Sequence, residues 1–315
     1  MSSESLEIRL PLIVIVGPTA SGKTALALRL ARYFDLEVIS ADSRQVYLDM
    51  EIGTAKPTAE ERGLVPHHLL DLVRPDQEFS VLHFERLGKK AVSEIRCRGR
   101  LPFLVGGTGL YIKALTDGLL KAPSADPELR RELLAMEQEN GEGTLYRYLC
   151  RVDPALAGRL FPKDLVRVMR GLEVFLQSGR TLSDLQGEHG FGNGAFRILK
   201  LGIAWEREQL YRRINQRVDA MLAAGLIEET RGLLRKGYSP RLRALQALGY
   251  REAVLHLDGA MSLEKLRETM QRETRRYAKR QMTWFRKDKS VVWLDSQKEF
   301  DKMLPLIEKF NLNAT

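Results

Sequence analysis

The sequence predicts an α/β fold in which a parallel sheet is flanked by helices and carries an inserted all-helical domain. Two observations favour this fold. Short apolar runs alternate with helical patterns through the first third of the chain, which is typical of a parallel sheet. From about residue 119 the alternation gives way to charged, proline-punctuated helical segments such as DPELRRELLAMEQE, which indicates a helical insertion.

The apolar runs predict the strands in chain order. They are LIVIV at 12–16, LEVIS at 36–40, PFLV at 102–105, ILKLGIAW at 198–205 and VVWLD at 291–295. The insertion ends in a turn-rich stretch, GEHGFGNGAF, at 187–196. We therefore expect a catalytic core made of 1–118 and 197–315, with basic C-terminal helices, and a helical insertion domain at 119–196.

Composition and charge narrow the classes of function. The 315 residues are 44% hydrophobic and 29% charged, which is the composition of a packed globular protein. A formal charge of +9 favours a polyanionic partner such as nucleic acid, although such an excess can also serve solubility alone. Cys97 and Cys150 match no metal-ligand spacing and predict neither a zinc site nor a disulfide scaffold.

The sequence also predicts where the protein works. The N-terminal residues have acids and an early strand in place of a signal peptide, and no segment approaches the roughly 18 apolar residues of a membrane span. We expect a cytoplasmic monomer that does not associate with membranes.

The first predicted strand leads into a glycine-rich loop, GPTASGKT, that matches the G-x-x-x-x-G-K-[ST] pattern. A helix pattern follows it, so the sequence predicts a P-loop NTPase-like sheet. Backbone N–H groups and the helix N-terminus would hold phosphate, Lys23 would neutralise charge, and Thr24 would bind Mg²⁺. A diphosphate fits such a loop as well as a triphosphate does. The phosphate-binding residues are Gly17, Pro18, Thr19, Ala20, Ser21, Gly22, Lys23 and Thr24.

Polar residues follow two further predicted strands. Asp42 comes after LEVIS and precedes Ser43, Arg44 and Gln45, while Thr108 follows PFLV and two glycines. Ligands of open α/β sheets bind beyond the carboxyl ends of the strands, so these residues should share one crevice with the P-loop. Asp42 and Thr108 could instead be helix caps.

Two adjacent histidines, His67 and His68, raise the question of a metal site. Neither has an i+4 partner or a nearby cysteine. They are therefore expected to have structural or hydrogen-bonding roles.

Eight motifs together resemble those of the tRNA dimethylallyltransferases, also called tRNA isopentenyltransferases. They are GPTASGKT, ADSRQVY, IGTAKP, PHHLLD, LVGGTGLY, RINQRVDAM, QALGYRE and RYAKRQMTWFR, and they run from the P-loop almost to the final strand. Enzymes of this family transfer the dimethylallyl group of dimethylallyl diphosphate to N6 of adenosine 37, next to the anticodon, in tRNAs that read codons beginning with U. The resemblance implies that the P-loop holds the donor's diphosphate. The chain is similar to the bacterial type, which lacks the C-terminal zinc finger of some eukaryotic relatives.

This chemistry assigns roles to the candidate residues. The N6 amine of adenine is a poor nucleophile, so a carboxylate that removes its proton should help, and Asp42 is the candidate base. Lys23, a Mg²⁺ at Thr24 and an arginine would stabilise the leaving diphosphate. The resemblance implies that this arginine is Arg217 and that Thr108 belongs to the catalytic set.

The tRNA-binding surface is expected in several segments. Ser43, Arg44 and Gln45 follow Asp42 and would read the flipped base or its neighbours, in an anticodon loop where extrusion is easier than in a duplex. The resemblance implies further tRNA contacts, and it is weakest at Val166, where relatives have a glutamine. These contacts are Asp42, Thr108, Arg130, Val166, Arg167, Val168, Met169, Arg170, Gln246, Ala247, Leu248, Gly249, Tyr250 and Arg251.

The stretch 271–289 is strongly basic, with eight Lys or Arg residues against two acids. Met270, Tyr277 and Trp284 recur every seven residues and predict a buried stripe on one helix. Arg276 and Arg280 lie off that stripe and are expected to contact the tRNA backbone. For Trp284, core packing is favoured over base stacking.

Three other functions remain open at this point. A P-loop kinase would use the loop and Asp42, but it leaves the basic helix unexplained. An adenylate isopentenyltransferase would prenylate a free nucleotide, whereas the long insertion and the basic C-terminal segment favour an RNA substrate. A non-catalytic RNA-binding protein would not need Asp42 and Thr108 beside the loop.

Overall fold

The computed structural model describes residues 9–189, 195–295 and 297–312. They form two compact units. The first contains the described residues up to Thr116 and from 195 onward, and the second contains the described part of Asp117–Asn193.

The first unit is built on a parallel sheet in the order β3-β2-β4-β1-β5-β6. The predicted α/β class is confirmed. Each apolar run forms a strand, and one strand that the sequence did not predict, β3, covers only two residues at the sheet edge. The strands are β1 (Leu10–Val16), β2 (Leu36–Ala41), β3 (His67–His68), β4 (Leu101–Gly106), β5 (Phe196–Ile203) and β6 (Val291–Leu294).

Helices of the first unit cover the sheet, and other helices form the second unit. In chain order they are α1 (Lys23–Leu30), α2 (Ala59–Leu64), α3 (Val81–Cys97), α4 (Gly109–Asp117), α5 (Pro127–Asn140), α6 (Thr144–Val152), α7 (Pro154–Ala157), α8 (Leu165–Ser178), α9 (Leu182–His189), α10 (Arg207–Ala223), α11 (Leu226–Arg235), α12 (Tyr250–Leu257), α13 (Leu263–Phe285) and α14 (Phe300–Leu312). Helices α5 to α9 belong to the second unit. None of the described helices has both the length and the apolar composition that crossing a bilayer requires.

Apolar layers on both faces of the sheet explain the continuous apolar strands. Phe84 and Ile95 of α3 pack in one cluster, and Leu30 of α1 packs with Phe300 and Ile307 of α14 in another. All residues of β1 after Leu10 are buried. Strands covered on both faces have no polar face, so their sequences lack the apolar–polar alternation of a half-buried sheet.

A third cluster joins the segment after β2 to the C-terminal helices. Val46 and Met50 pack with Val218 of α10, Tyr250 of α12 and Met270 of α13. This packing fixes the polar residues that follow Asp42 against helices from the other end of the chain.

The second unit has its own core, which includes Leu133, Leu149 and Leu172. The Glu173 carboxylate is completely buried there and accepts hydrogen bonds from Arg130, from Arg170 and from the backbone N–H of Asp126. Burial alone would raise the pKa of Glu173, but hydrogen bonds from the two arginines outweigh it and lower the pKa. A buried charge is stable here because it is fully paired.

Candidate active site

The P-loop joins β1 to α1 and turns on left-handed residues. Ala20 has φ 63° and Gly22 has φ 86°, a conformation that glycine adopts without steric cost. The Lys23 ammonium donates hydrogen bonds to the carbonyls of Gly17 and Pro18, at 3.0 and 2.8 Å. The lysine therefore lies across the loop that it would complete as a phosphate site.

Three side chains from distant elements brace the loop from outside, and the sequence predicted none of these contacts. Thr19 N–H donates to Gln281 Oε1 at 2.8 Å. Arg213 Nε donates to the Ala20 carbonyl and Trp205 Nε1 to the Ser21 carbonyl, both at 2.9 Å. The Arg213 guanidinium also lies over the Trp205 ring, 4.4 Å from its centroid. This bracing would hold Ala20 in its left-handed conformation.

Asp42 follows β2 directly and serves no helix. One of its carboxylate oxygens, Oδ1, accepts a hydrogen bond from Arg44 N–H at 2.8 Å. No helix begins between residues 42 and 58, and α2 is capped by Thr58, so the alternative that Asp42 is a helix cap is wrong. Its side chain lines a large cavity beyond the strand ends.

Thr108 ties two strand ends together. It immediately precedes α4, and its Oγ1 accepts a hydrogen bond from Ser43 N–H at 3.0 Å while its own N–H donates to the Ala41 carbonyl. The segments after β2 and β4 are thus held side by side at the carboxyl edge of the sheet.

The cavity at this edge has a volume of about 740 Å³. Its lining combines the P-loop with the segment after β2, the glycines after β4 and the C-terminal helices. The polar lining includes Thr19, Ser21, Lys23, Thr24, Asp42, Ser43, Arg44, Gln45, Arg217, Gln246, Arg251, Thr274, Tyr277, Arg280 and Gln281. The structure thus brings together residues that the sequence placed on separate strands and helices.

The cavity lining carries six cationic side chains and two carboxylates, and among them Lys23, Arg217 and Asp42 interact electrostatically. Burial and, secondarily, the positive charge of Arg217 lower the pKa of Lys23 to about 7, and Asp42 opposes this shift. Burial likewise lowers the pKa of Arg217, again against the effect of Asp42. Two cations crowded into a partly desolvated site favour a multiply charged anion over a neutral ligand.

One part of the same cavity is apolar, a property that the sequence did not reveal. The side chains there come from α10, α13 and the segment before α12, and they are Ile214, Val218, Met221, Ala247, Leu248 and Met270. A site with both a cationic and an apolar part suits a ligand with an anionic head and a hydrocarbon tail.

Gln45 has a different role from the one predicted. Its Oε1 accepts from Ser40 Oγ at 2.8 Å, and its Nε2 donates to the carbonyls of Thr54 and Ala55 at 3.2 and 3.1 Å. Because both amide hydrogens are already used inside the protein, we assign Gln45 to holding the cavity wall. One guanidinium nitrogen of Arg44 donates a hydrogen bond to the Arg243 carbonyl, and Arg44 also lines the cavity.

The segment 246–251 divides between surface and core. Gln246 is exposed and Leu248 is half-buried in the cavity wall. Tyr250 is completely buried and its hydroxyl donates to Glu229 at 2.6 Å. A side chain with no exposed surface cannot touch RNA, so the predicted tRNA contact of Tyr250 is replaced by a packing role.

The predicted contacts of the second unit divide in the same way. Val166 is 73% exposed and Arg167 lies on the surface, whereas Val168 is completely buried. Val168 is therefore a core residue, which corrects the prediction for its side chain. Arg130 and Arg170 are committed to Glu173, with part of each guanidinium exposed.

Helix α13 carries the basic stretch. Arg276 is exposed and pairs with Glu273, whereas Arg280 lines the cavity and lies near the Tyr277 ring. The buried stripe predicted from the seven-residue spacing is only partly present, because Trp284 is 43% exposed.

The two histidines have the structural roles expected of them. His68 Nε2 contacts the buried Glu37 carboxylate at 2.6 Å, and His67 Nδ1 contacts the Val65 carbonyl. In the described part of the chain no group of three His, Cys, Asp or Glu side chains could hold a metal.

Family models and curated relatives that match the chain are named as prenyl-transferring enzymes. The family model described as IPP transferase matches residues 45–288, and a second, Isopentenyl transferase, matches residues 10–68. The tRNA dimethylallyltransferase 1 of Syntrophotalea carbinolica is 55% identical, over 96% of each chain. The tRNA dimethylallyltransferase of Geobacter sulfurreducens is 50% identical, over 95% of this chain and 96% of its own.

Solved structures with the same architecture lead to the same family. The tRNA isopentenylpyrophosphate transferase of Bacillus halodurans has a TM-score of 0.70 and 41% identity, with 97% of each chain covered. A eukaryotic dimethylallyltransferase acting on tRNA has a TM-score of 0.81 and 30% identity, over 96% of this chain and 80% of its own. The chain therefore belongs to the IPP transferase family, the family of the tRNA dimethylallyltransferases.

Proposed function

We propose that this enzyme transfers the dimethylallyl group of dimethylallyl diphosphate to N6 of adenosine 37 in tRNAs that read codons beginning with U. The products are N6-isopentenyladenosine and diphosphate. One observation carries the proposal: a single cavity combines a P-loop and two cations, a carboxylate at a strand end, and an apolar part. A kinase site has no need of the apolar part.

The cationic end of the cavity suits the leaving group. As the C–O bond of the donor breaks, its electron pair goes to the diphosphate, whose negative charge increases. Lys23, Arg217 and backbone N–H groups of the P-loop would stabilise that charge in the transition state. The apolar part of the cavity would receive the five-carbon tail and keep water away from the reacting carbon.

Asp42 supplies the base at the acceptor. The N6 lone pair forms the new C–N bond while the N6 proton moves to a carboxylate oxygen. Because Arg44 N–H already holds Oδ1, we assign the proton transfer to Oδ2. Thr108, held beside Asp42 through Ser43 N–H, would orient the acceptor.

The cavity also fits a magnesium ion. The Thr24 hydroxyl lines it next to Lys23, and Mg²⁺ prefers a few protein oxygens together with phosphate oxygens and water. We propose that Thr24 holds Mg²⁺ together with the diphosphate. When bound, the ion neutralises part of the leaving group's charge.

Exposed arginines support the RNA acceptor. Arg44 and Arg251 line the cavity, and Arg276 and Arg167 are exposed elsewhere on the chain. Such charges bind phosphates and give salt-dependent affinity. We propose that the anticodon stem-loop binds these residues and that the enzyme acts as a monomer. With tRNA as its substrate, the enzyme is expected to act in the cytoplasm.

The test follows labelled dimethylallyl diphosphate into anticodon stem-loops that contain or lack adenosine 37, with Mg²⁺ present. We expect incorporation only when the adenosine is present. Asp42→Asn should lower kcat about 10²- to 10⁴-fold and change the Kd for tRNA little. Asp49→Asn is the matched control, because Asp49 lies in the same segment but pairs with Lys236.

Two results would overturn the proposal. If the protein hydrolysed ATP or phosphorylated a small acceptor and left the stem-loop unlabelled, the kinase alternative would be correct. If Asp42→Asn lost tRNA binding but kept its kcat at saturating RNA, Asp42 would be an anchor for RNA and not the base.

A further inference from the structure

The buried side-chain amide of Gln281, on helix α13, lies between two walls of the cavity. Gln281 is 6% exposed, and both ends of its side chain are occupied. Its Oε1 accepts from Thr19 N–H of the P-loop at 2.8 Å, and its Nε2 donates to the Gly107 carbonyl at 2.9 Å. The side chain therefore bridges the proposed diphosphate site and the loop that carries Thr108.

The two glycines on either side of Thr108 are explained by contacts with α13. A Cβ on Gly107 would lie 2.3 Å from Gln281 Nε2, and a Cβ on Gly109 would lie 2.3 Å from Trp284 Nε1. Neither glycine has the positive φ that would itself require glycine. Their missing side chains make room for α13, which is also the helix that carries Arg276 and Arg280.

The chemistry of the bridge requires an amide. Thr19 N–H needs an acceptor and the Gly107 carbonyl needs a donor, and a glutamine side chain provides one at each position. A carboxylate provides only acceptors and would repel the carbonyl. A methionine has a similar length but would leave both buried groups without a partner.

We propose that Gln281 is a positioning residue for the transfer reaction, because it fixes the P-loop relative to the Thr108 loop. This inference rests on the proposed function. The bridge would set the distance between the donor carbon above the P-loop and the N6 acceptor beside Asp42 and Thr108. A misplacement of about 1 Å between reacting groups can cost about 10²-fold in rate.

The test uses Gln281→Met and Gln281→Glu in the full chain. Gln281→Met should lower kcat about 10- to 100-fold while the Kd for tRNA stays within about twofold, because the exposed arginines are untouched. Gln281→Glu should be equally impaired at pH 8. It should recover towards the wild-type rate near pH 6, because a protonated carboxyl again offers one acceptor and one donor.

The ratio of the variant rate to the wild-type rate at each pH removes every pH effect that the two enzymes share. Gln271→Met and Gln271→Glu are the matched controls. Gln271 lies on the same helix and donates to Asp219 outside the cavity, so these changes should leave both kcat and its pH profile unchanged.

A second experiment tests the contact itself. Gly107→Ala should displace Gln281 and reduce kcat, whereas adding Gln281→Ala removes the clash. The double variant should therefore be no slower than Gly107→Ala alone, a strongly non-additive result.

Several outcomes would overturn the inference. The first is full activity of Gln281→Met, and the second is a loss of kcat in Gln281→Glu that does not depend on pH. The third is a double variant, Gly107→Ala with Gln281→Ala, in which the two losses of kcat are additive. If wild type itself transferred no label to RNA, the proposed function would fail. If wild type transferred label and Gln281→Met did so equally well, only the role of Gln281 would fail.

Discussion

Replacing Glu229 should loosen the wall of the cavity and destabilise the first unit. The Glu229 carboxylate, on α11, accepts hydrogen bonds from the N–H groups of Glu51, Ile52 and Gly53 at 2.9, 2.8 and 3.2 Å. The Tyr250 hydroxyl is its fourth donor, at 2.6 Å. One side chain thus holds the backbone of the loop that in turn accepts hydrogen bonds from Gln45.

The expected loss follows from these four bonds. Glu51 N–H lies at the surface, so water can replace its partner, but the other three bonds are partly buried. At about 1 kcal/mol for each partly buried bond, Glu229→Ala should lower the free energy of unfolding by about 3 kcal/mol. Tyr250→Phe removes one of the three bonds and should cost about 1 kcal/mol.

Urea unfolding followed by tryptophan fluorescence measures this loss directly. All three tryptophans, Trp205, Trp284 and Trp293, lie in the first unit, so the signal reports that unit alone. Glu228→Ala is the control, because Glu228 is mostly exposed and should change stability by less than about 0.5 kcal/mol. A loss below about 1 kcal/mol for Glu229→Ala would refute the argument that the carboxylate organises this loop.

Three further predictions concern charges. We expect diphosphate to bind the protonated form of Lys23. Because the pKa of Lys23 is about 7, this side chain is mostly charged below pH 7 in the free enzyme, whereas above pH 7 it must take up a proton when diphosphate binds. Affinity should therefore fall by up to about one log unit per pH unit above pH 7, measured by calorimetry relative to Lys23→Arg. Replacing Arg276 and Arg280 by Gln should reduce the slope of log K for tRNA against log salt by up to about 0.7 to 0.9 for each phosphate that the variant no longer neutralises. Glu173→Ala removes the buried partner of two partly exposed guanidiniums, which water can then solvate, and should destabilise the second unit by about 1 to 3 kcal/mol, measured by hydrogen exchange in α5 and α8.

Each of these has an outcome that contradicts it. Parallel pH profiles for wild type and Lys23→Arg would mean that Lys23 is already charged in the free enzyme. An unchanged salt slope would remove α13 from the RNA interface. Exchange rates in Glu173→Ala equal to those of the exposed control Glu139→Ala would show that the arginines find other partners.

The sequence predicted the sheet well because both faces of it are buried. Strands β1 and β4 have nearly continuous apolar sequences, β2 is apolar except at Glu37 and Ser40, and the P-loop pattern identified the first strand–helix junction. Strand β3 was missed because two histidines at an edge give no apolar run. The position of Asp42 close to the P-loop was also predicted, because parallel strands bring their carboxyl ends to one edge of the sheet.

What the sequence could not predict depends on contacts between distant segments. Gln45 has the pattern of an exposed recognition residue, yet its amide is used by Thr54 and Ala55. Tyr250 lies in a motif with polar neighbours but is completely buried. Gln281 lies in a basic stretch, and nothing local shows that its partners are Thr19 and Gly107. Periodicity reports which face of a helix is apolar, but it does not report what that face meets.

The bridge between Thr19 and Gln281 joins residues 262 positions apart, and this has a consequence for biosynthesis. A ribosome makes the P-loop well before α13. Until α13 has emerged, the P-loop lacks one of its three braces, and strand β6, which completes the sheet, is later still. Pairings of such long sequence separation form slowly, so the nascent chain should acquire diphosphate binding only after α13 has emerged. Chains stalled before residue 281 should therefore remain inactive, however complete their N-terminal motif.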